Sequence, residues 1–569
     1  MKRLICAGAL VAVAAASLTS APAPSVQFTD VTAAAGITFK HTSGRAGQKW
    51  LPETLGSGVA VFDADADGWL DVLFVNSRSW KRGSARAIQA LYRNNGGGTF
   101  SDITRGSGLD VELYGMGAAV GDFDNDGRDD VYLTALEGDR LFHNLGGGKF
   151  ADVTAAAGIA NNSFGTSAAW FDFDRDGHLD LFVANYVQWS AAADLWCSLD
   201  GQTKSYCTPE SYKGTMSRLF RNKGPQAQPR FEDVTAKAGL GDASSKSLGV
   251  TVLDYNTDGW PDLFVANDTQ PNKLYRNNRN GTFTEEGMVA GVAYGEDGVA
   301  RGAMGTDAAD YDRSGRPHLV VGNFSNQMLG LYHNDGRVFV DEAPASAVGR
   351  SSLLTLAFAV FFFDFDLDGY LDIFAANGHI EEEIGRVQPK VTYAQPPLVF
   401  RNVGGKGFEN VSASLGAAFK RPIVARGAAH GDLDRDGDLD VVMTTNGGPA
   451  YVYRNDGASR QNWITFRLSG TRSNRSGIGA KVTVESASGT QWNAVRSGSS
   501  YCSHSDLALT FGLGQDAAIR RAIVEWPGGL KQEFTGLSSR QEYRIREGTA
   551  APVIATPPPS DHATRGRGW

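Results

Sequence analysis

Seven copies of one short acidic loop run through this chain of 569 residues, and six of them keep most of the pattern D-x-D-x-D-G-x-x-D. They begin at Asp63 (DADADGWLD), Asp122 (DFDNDGRDD), Asp172 (DFDRDGHLD), Asp254 (DYNTDGWPD), Asp310 (DYDRSGRPH), Asp364 (DFDLDGYLD) and Asp432 (DLDRDGDLD). Three or four carboxylates within nine residues repel one another unless a hard cation sits among them, and oxygen ligands at alternate positions suit calcium. The glycine at position six permits the sharp turn that brings the first and last carboxylates together. Each loop therefore reads as a metal cage.

The flanks exclude an EF-hand. That motif needs helical periodicity on both sides and a Glu at position twelve, where this chain has residues such as Phe74, Leu133 and Val183. The flanking runs are instead short, apolar and rich in β-branched and aromatic residues (GVAVFD before, LDVLFVN after), which places each cage on a hairpin between two buried strands. About twenty residues or more after each loop comes a Y/F-R/H-N tripeptide, from Tyr92-Arg93-Asn94 to Tyr453-Arg454-Asn455, and most copies continue into an F-x-D-V-T-like strand. Four short strands per unit at a period of roughly 40 to 60 residues predict propeller blades. The seventh copy lacks its last strand while VQFTDVTAAAGI (26–37) is an orphan one, so the first segment is expected to complete the last blade.

These hairpins with their Y-R-N and F-x-D-V-T companions resemble the FG-GAP/VCBS repeats of integrin α-like propellers. The segments QNWITFRLSGTRSNRSGIGAKVTVESASGTQ and VRSGSSYCSHSDLALTFGLG resemble an ASPIC/UnbV domain, and the order of the two resembles the cartilage acidic protein family and its bacterial members. The resemblance implies an all-β fold: a seven-bladed β-propeller with calcium-binding hairpins, followed by a small β-rich domain. It implies up to seven Ca2+ ions held by side chains at positions 1, 3, 5 and 9 and a carbonyl at position 7. The ligands would be Asp63, Asp65, Asp67 and Asp71; Asp122, Asp124, Asp126 and Asp130; Asp172, Asp174, Asp176 and Asp180; Asp254, Asn256, Asp258 and Asp262; Asp364, Asp366, Asp368 and Asp372; and Asp432, Asp434, Asp436 and Asp440. The fifth loop has Ser314 and His318 where aspartates belong, leaving Asp310 and Asp312 and an open question of occupancy. Two alternatives stand beside a ligand-binding role: tight polar hairpins without ions, or ions that only hold the blades together.

The expected division is a signal peptide at 1–23, from two basic residues, an apolar stretch and small residues; a propeller at 24–457 with an insertion at 186–217; a β-domain at 461–547; and a disordered Pro-rich tail at 548–569. The formal charge of −9 would become about +5 with seven divalent ions bound, so it says little about partners, and no nucleic-acid motif is present. In an exported chain Cys197 and Cys207 are expected to form a disulfide, as the resemblance also implies, with two free thiols the alternative. Cys502 is then left single, expected inside the C-terminal β-domain. Tyr186, Trp189, Trp196, Tyr206 and Tyr212 of the insertion form either a covering mini-core or a ligand platform.

No H-E-x-x-H, nucleophile elbow or Walker loop occurs. His379, in NGHIEEE, reads as a surface loop residue rather than a base. The expectation is a secreted or periplasmic, monomeric, calcium-binding interaction or adhesion module with no enzymatic activity, whose partner is an unknown protein or glycan and which does not stay in a membrane. A carbohydrate-binding lectin is the first alternative and an envelope enzyme or enzyme partner the second.

Overall fold

The computed structural model describes residues 26–81, 83–228 and 230–556. The signal-peptide segment lies outside them, as do residues 557–569 of the expected tail. The remainder is all-β apart from short helical turns, and its strands form nine four-stranded sheets.

Seven of these sheets follow the repeat. In the first, Val59–Phe62, Asp71–Phe74, Ala90–Asn94 and Phe100–Asp102 pair antiparallel in chain order, and the next five sheets repeat the arrangement. The seventh is built from both ends of the array: Ala425–Gly431, Asp440–Thr445 and Tyr451–Asp456 are joined by the N-terminal strand Gln27–Asp30, with Phe28 opposite Asn455. The first strand of each sheet packs on the first strand of the next, and that of the seventh packs on that of the first, so the sheets close a propeller-like ring. Apolar cores fill the spaces between neighbouring sheets. Val59, Val61, Val72 and Phe74 of the first, for example, meet Ala429, Val442 and Val452 of the seventh.

The last two sheets form the C-terminal domain. One is ordered Leu509–Gly514, Asn462–Ser469, Gln541–Arg546, Val553–Ile554; the other is ordered Gly489–Ala494, Lys481–Ser486, Arg521–Glu525, Lys531–Phe534. Val553–Ile554 lies in the segment expected to be disordered, yet it pairs with Tyr543 and Arg544 as an edge strand. Val553 and Ile554 are two adjacent apolar residues before a proline-rich stretch, too short a run to read as a strand.

Between Ala494 and Leu509 the chain leaves this domain and enters the channel of the ring. Its main chain and side chains bond the innermost strands in turn. His504 exchanges main-chain bonds with Val59 and Val61, the Cys502 oxygen accepts from Ala118 N at 3.2 Å, and Cys502 N donates to Ser167 Oγ at 3.0 Å. Ser500 exchanges two bonds with Thr306 and donates its hydroxyl to Ala428 O, while Tyr501 packs edge-on against Phe358 and donates its hydroxyl to Leu55 O. Cys502 is thus buried in the ring channel and not, as expected, within the C-terminal domain.

Room for this plug comes from the residue five places before each acidic loop: Gly58, Gly117, Ser167, Gly249, Gly305, Ala359 and Gly427. A Cβ on Gly58 would lie 1.8 Å from Cys502 O, and one on Gly427 would lie 2.5 Å from Ser503 Oγ. Every sheet therefore carries a small residue at one level of the channel.

Candidate metal centre

The acidic loops share one backbone plan. In the first, Asp67 N donates to Oδ1 of Asp63 and of Asp65, Gly68 N to Asp63 Oδ2, and Trp69 N to Asp67 Oδ1. The glycine at position six has a positive φ in all seven copies, but so does the residue at position four: Ala66, Asn125, Arg175, Thr257, Arg313, Leu367 and Arg435. The left-handed region costs a non-glycine residue about 1–2 kcal/mol, and it is accepted here seven times because it turns the carboxylates inward. The sequence pattern, which leaves position four variable, does not display that requirement.

The ninth residue opens the second strand of each sheet and is fully buried. Asp71 accepts from Asn94 N at 2.7 Å on Oδ1 and from Ala64 N at 2.9 Å on Oδ2. The asparagine of the Y-R-N tripeptide then reaches sideways. Asn144 Nδ2 donates to Asp129 O of its own loop and to Ala64 O at position two of the preceding one, and the same pair of bonds recurs in every sheet. That tripeptide, noticed only as a repeat mark, is the tie between neighbouring sheets.

Electrostatics set the loops apart from ordinary turns. Burial first, and neighbouring aspartates next, push Asp122 and Asp262 up to about 8 and Asp172 and Asp366 to about 7. Asp180, Asp372 and Asp440 are raised well above the carboxylate range for the same reasons. Oδ1 of Asp174 and of Asp434 is buried with no hydrogen-bond partner. Buried carboxylate oxygens left unpaired are costly, and a hard divalent cation satisfies them. Triplets such as Asp63, Asp65 and Asp71, or Asp172, Asp174 and Asp180, lie close enough to hold one metal ion.

The fifth loop differs in kind. His318 at position nine takes the amide proton of Asn334 on Nδ1 at 2.9 Å, as the aspartates do on Oδ1. A neutral imidazole that accepts on Nδ1 carries its proton on Nε2. That Nε2 points at Asp312 Oδ1, 2.8 Å away, and His333 Nε2 lies 3.0 Å from Asp312 Oδ2. Asp312 is held well below the usual carboxylate range, because these hydrogen bonds outweigh its burial. An N–H donor thus faces the place a cation would take, and the loop's remaining Asp310 and Asp312 do not fit a hard-cation site. The other six loops do.

The loop face is covered. Asn125 Oδ1 accepts from Arg475 N at 2.7 Å, Arg175 Nε donates to Pro527 O at 2.8 Å, and Arg435 Nη2 meets Glu542 at 2.7 Å. Position-four residues therefore carry the docked C-terminal domain. The opposite face bears the insertion 186–217, stapled by the Cys197–Cys207 disulfide. Its aromatics divide: Tyr186, Tyr206 and Tyr212 are buried, Trp189 is half-buried, and Trp196 is 62% exposed. Tyr206 bridges two buried acids that sequence reasoning did not connect, its hydroxyl donating to Glu53 at 3.1 Å and its N–H to Glu381 at 3.2 Å. His379, expected at the surface, is buried. Its Nδ1 accepts from Glu381 N at 3.0 Å, and burial lowers it to about 4, so it is neutral. The acids around it had suggested solvent, and Glu382 and Glu383 are exposed, but Glu381 is itself folded inward.

Comparison with known proteins agrees with this architecture. Residues 470–552 match the ASPIC and UnbV family, and residues 63–133, 122–183 and 254–321 match the FG-GAP-like repeat. The chain is an all-β protein of FG-GAP-like repeats joined to an ASPIC/UnbV domain. It is similar to cartilage acidic protein 1 of Mus musculus and of Homo sapiens, 27% identical to each over 308 residues, or 52% of this chain. Those matches cover 44% and 43% of the two relatives, so the chain spans less than half the length of the curated proteins it matches. Among solved structures, one on recognition of non-reducing terminal N-acetylglucosamine by an Agrocybe aegerita lectin is 16% identical with a TM-score of 0.37, covering 69% of this chain and 87% of that one.

Proposed function

We propose that the protein is an extracellular, calcium-binding interaction module and not an enzyme, and that it engages a protein or glycan partner through the ring face opposite the acidic loops. The observation carrying this reading is how the C-terminal domain is placed: it covers the loop face and fills the channel, which leaves the other face free. There the stapled insertion presents Leu195, Trp196 and Leu199, and exposed aromatic and aliphatic anchors on a rigid loop suit recognition. The disulfide suits an oxidising compartment. Among the described residues no helix is long and apolar enough to cross a membrane. The test is capture of partners from the source organism's extracellular fraction, with and without calcium. Capture that Trp196→Ala and Leu199→Ser abolish supports the reading, and capture indifferent to both sinks it.

One feature favours a glycan among the possible partners. Trp50, Trp80 and Trp189 form a half-buried cluster with ring centroids 5.1–5.8 Å apart, beside a polar pocket lined by His41, Ser43, Arg45 and Asn446. Half-open indole faces beside hydrogen-bonding groups suit a sugar ring. Binding on a glycan array that Trp80→Ala or Trp189→Ala removes would support this narrower version.

A further inference from the structure

Position seven of the acidic loop is Trp69, Arg128, His178, Trp260, Arg316 and Tyr370 in the first six copies, and Asp438 in the last. Asp438 is completely buried. Its Oδ2 accepts from Ser459 N at 2.9 Å, and its Oδ1 has no partner. Asp436 Oδ2 accepts from Ser459 Oγ at 3.1 Å, so two adjacent carboxylates converge on one serine. That serine lies in the short helical turn Ala458–Arg460, which joins the ring to the C-terminal domain.

The arginines that could neutralise this group are engaged elsewhere. Arg435 bonds Gly68 O at 2.6 Å and Glu542, and Arg454, from the loop's own Y-R-N tripeptide, bonds Asp456 at 2.9 Å. In the third loop, by contrast, Arg221 pairs with Asp174 at 2.6 Å. The seventh loop thus gathers five carboxylates, a number matched by the second, but the second has its additional acid, Asp129, at position eight, whereas the seventh has it at position seven beside Asp436. It is also the loop closest to the joint: a Cβ on Gly437 would lie 1.8 Å from the Trp463 indole, at the start of the C-terminal domain. Ligand charge and rigidity are what tune a hard-cation site.

Taking the acidic loops as cation sites, we propose that the seventh is a five-carboxylate site for a hard divalent cation in which Asp438 joins Asp432, Asp434, Asp436 and Asp440. The bound ion would fix residues 457–461, and with them the seat of the C-terminal domain on the ring.

Hydrogen exchange read by mass spectrometry during a calcium titration of the full chain tests this. In the wild type, peptides over 452–463 should gain protection at a calcium level roughly ten-fold below that of peptides over the first and third loops, which have four carboxylates each, since Kd falls as ligand charge rises. Asp438→Asn, which keeps an oxygen for Ser459 N–H, should shift the 452–463 midpoint at least ten-fold upward and leave the first loop unchanged. Asp438→Ser provides a second variant should the first fold poorly. If no loop peptide responds to calcium, the underlying cation reading fails. If the other loops respond while both variants leave the 452–463 midpoint in place, Asp438 is a proton-sharing partner of Asp436 and this inference alone is overturned.

Discussion

Asn94 donates its Nδ2–H to the main-chain oxygen of Leu433 at 2.8 Å, and this bond ties the first sheet of the ring to the seventh across 339 residues of sequence. The same side chain also holds Leu70 O at 3.0 Å and accepts from Gly96 N at 2.9 Å. Six further asparagines repeat the two donor bonds, so the circle is held by seven equivalent amide groups placed just beneath the acidic loops. Each tie ends on the carbonyl at position two of a neighbouring loop. Whatever orders one loop therefore orders the seam beside it, which gives cation binding a direct route to ring stability.

Replacing Asn94 with Ala should cost about 1–3 kcal/mol for each buried carbonyl left without its donor. Asn277→Ala, which breaks the corresponding bonds to Phe173 O and Pro261 O, should cost a similar amount, because closure uses the same contact as the interior seams. Chemical denaturation of the two variants checks this. A much smaller loss at position 94 would mean the first and seventh sheets are held by strand pairing alone.

Removal of divalent ions should lower the melting temperature, and calcium should restore it. Each loop filled at a free concentration a hundred-fold above its Kd contributes about 2.7 kcal/mol. Differential scanning calorimetry after chelation and after add-back gives the answer. An unchanged transition in verified metal-free protein would falsify a stabilising role for the cages.

Native mass spectrometry in saturating calcium should count no more than six ions on the hairpin loops, because His318 presents a donor where the fifth cation would sit. Ser314→Asp combined with His318→Asp restores four carboxylates and should add one ion. Asp366→Ala should destabilise the calcium-loaded protein more than Asp312→Ala. Seven ions on the wild type would contradict the assignment of the His318 proton.

The metal-free protein should become more stable as pH falls from 8.5 to 6.5. Asp122 and Asp262 sit at about 8 and Asp172 and Asp366 at about 7 when folded, well above an ordinary aspartate, so the fold prefers them protonated. Their contribution is lost as pH rises through those values. Below 6.5 the gain should continue but flatten: each raised aspartate still takes up a proton on folding until the unfolded value of 3.8 is reached, while burial lowers His379, His430 and His504 to about 4 and the fold prefers them neutral. Calcium should abolish the rise between 8.5 and 6.5, since the ion holds the carboxylates ionised. Melting curves at four pH values, with chelator and with calcium, separate these cases.

Much of this was legible in the chain because it repeats. A nine-residue acidic loop between apolar runs states its local structure seven times over, an F-x-D-V-T-like strand follows in most copies, and an orphan strand at one end states the closure. The fourth-position turn was not legible, since Ala66, Leu367 and Arg435 share no chemistry and only the backbone reveals their common φ. Nor was the plug: SGSSYCSHSD was expected within the C-terminal β-domain, and its actual partners Val59, Ser167 and Thr306 lie hundreds of residues away. A signal did exist, in the row of small residues five places before each loop, but a row of glycines and alanines also suits tightly packed strands. His379 was misplaced for a related reason. Its neighbour Glu381 is buried by long-range partners, Lys49 and Tyr206, that local sequence cannot supply.

The plug makes the last prediction. Cys502 is buried in the channel, and burial raises its thiol to about 12, so it should resist a thiol-specific reagent in the native protein. Gly58→Ala would set a Cβ 1.8 Å from Cys502 O against two strands that cannot both retreat. The variant must either unseat the segment 497–506 or spread the ring, and in both cases the thiol should become reactive well below the temperature of global unfolding. Gly97→Ala controls for a glycine replacement without a clash, since that glycine, unlike Gly58, has a positive φ and so carries backbone strain, but nothing lies within 4 Å of its added Cβ. Labelling rates followed against temperature distinguish the two. If Gly58→Ala protects Cys502 as fully as the wild type does, the channel has more slack than a seated plug allows, and the C-terminal domain is held by the acidic loop face alone.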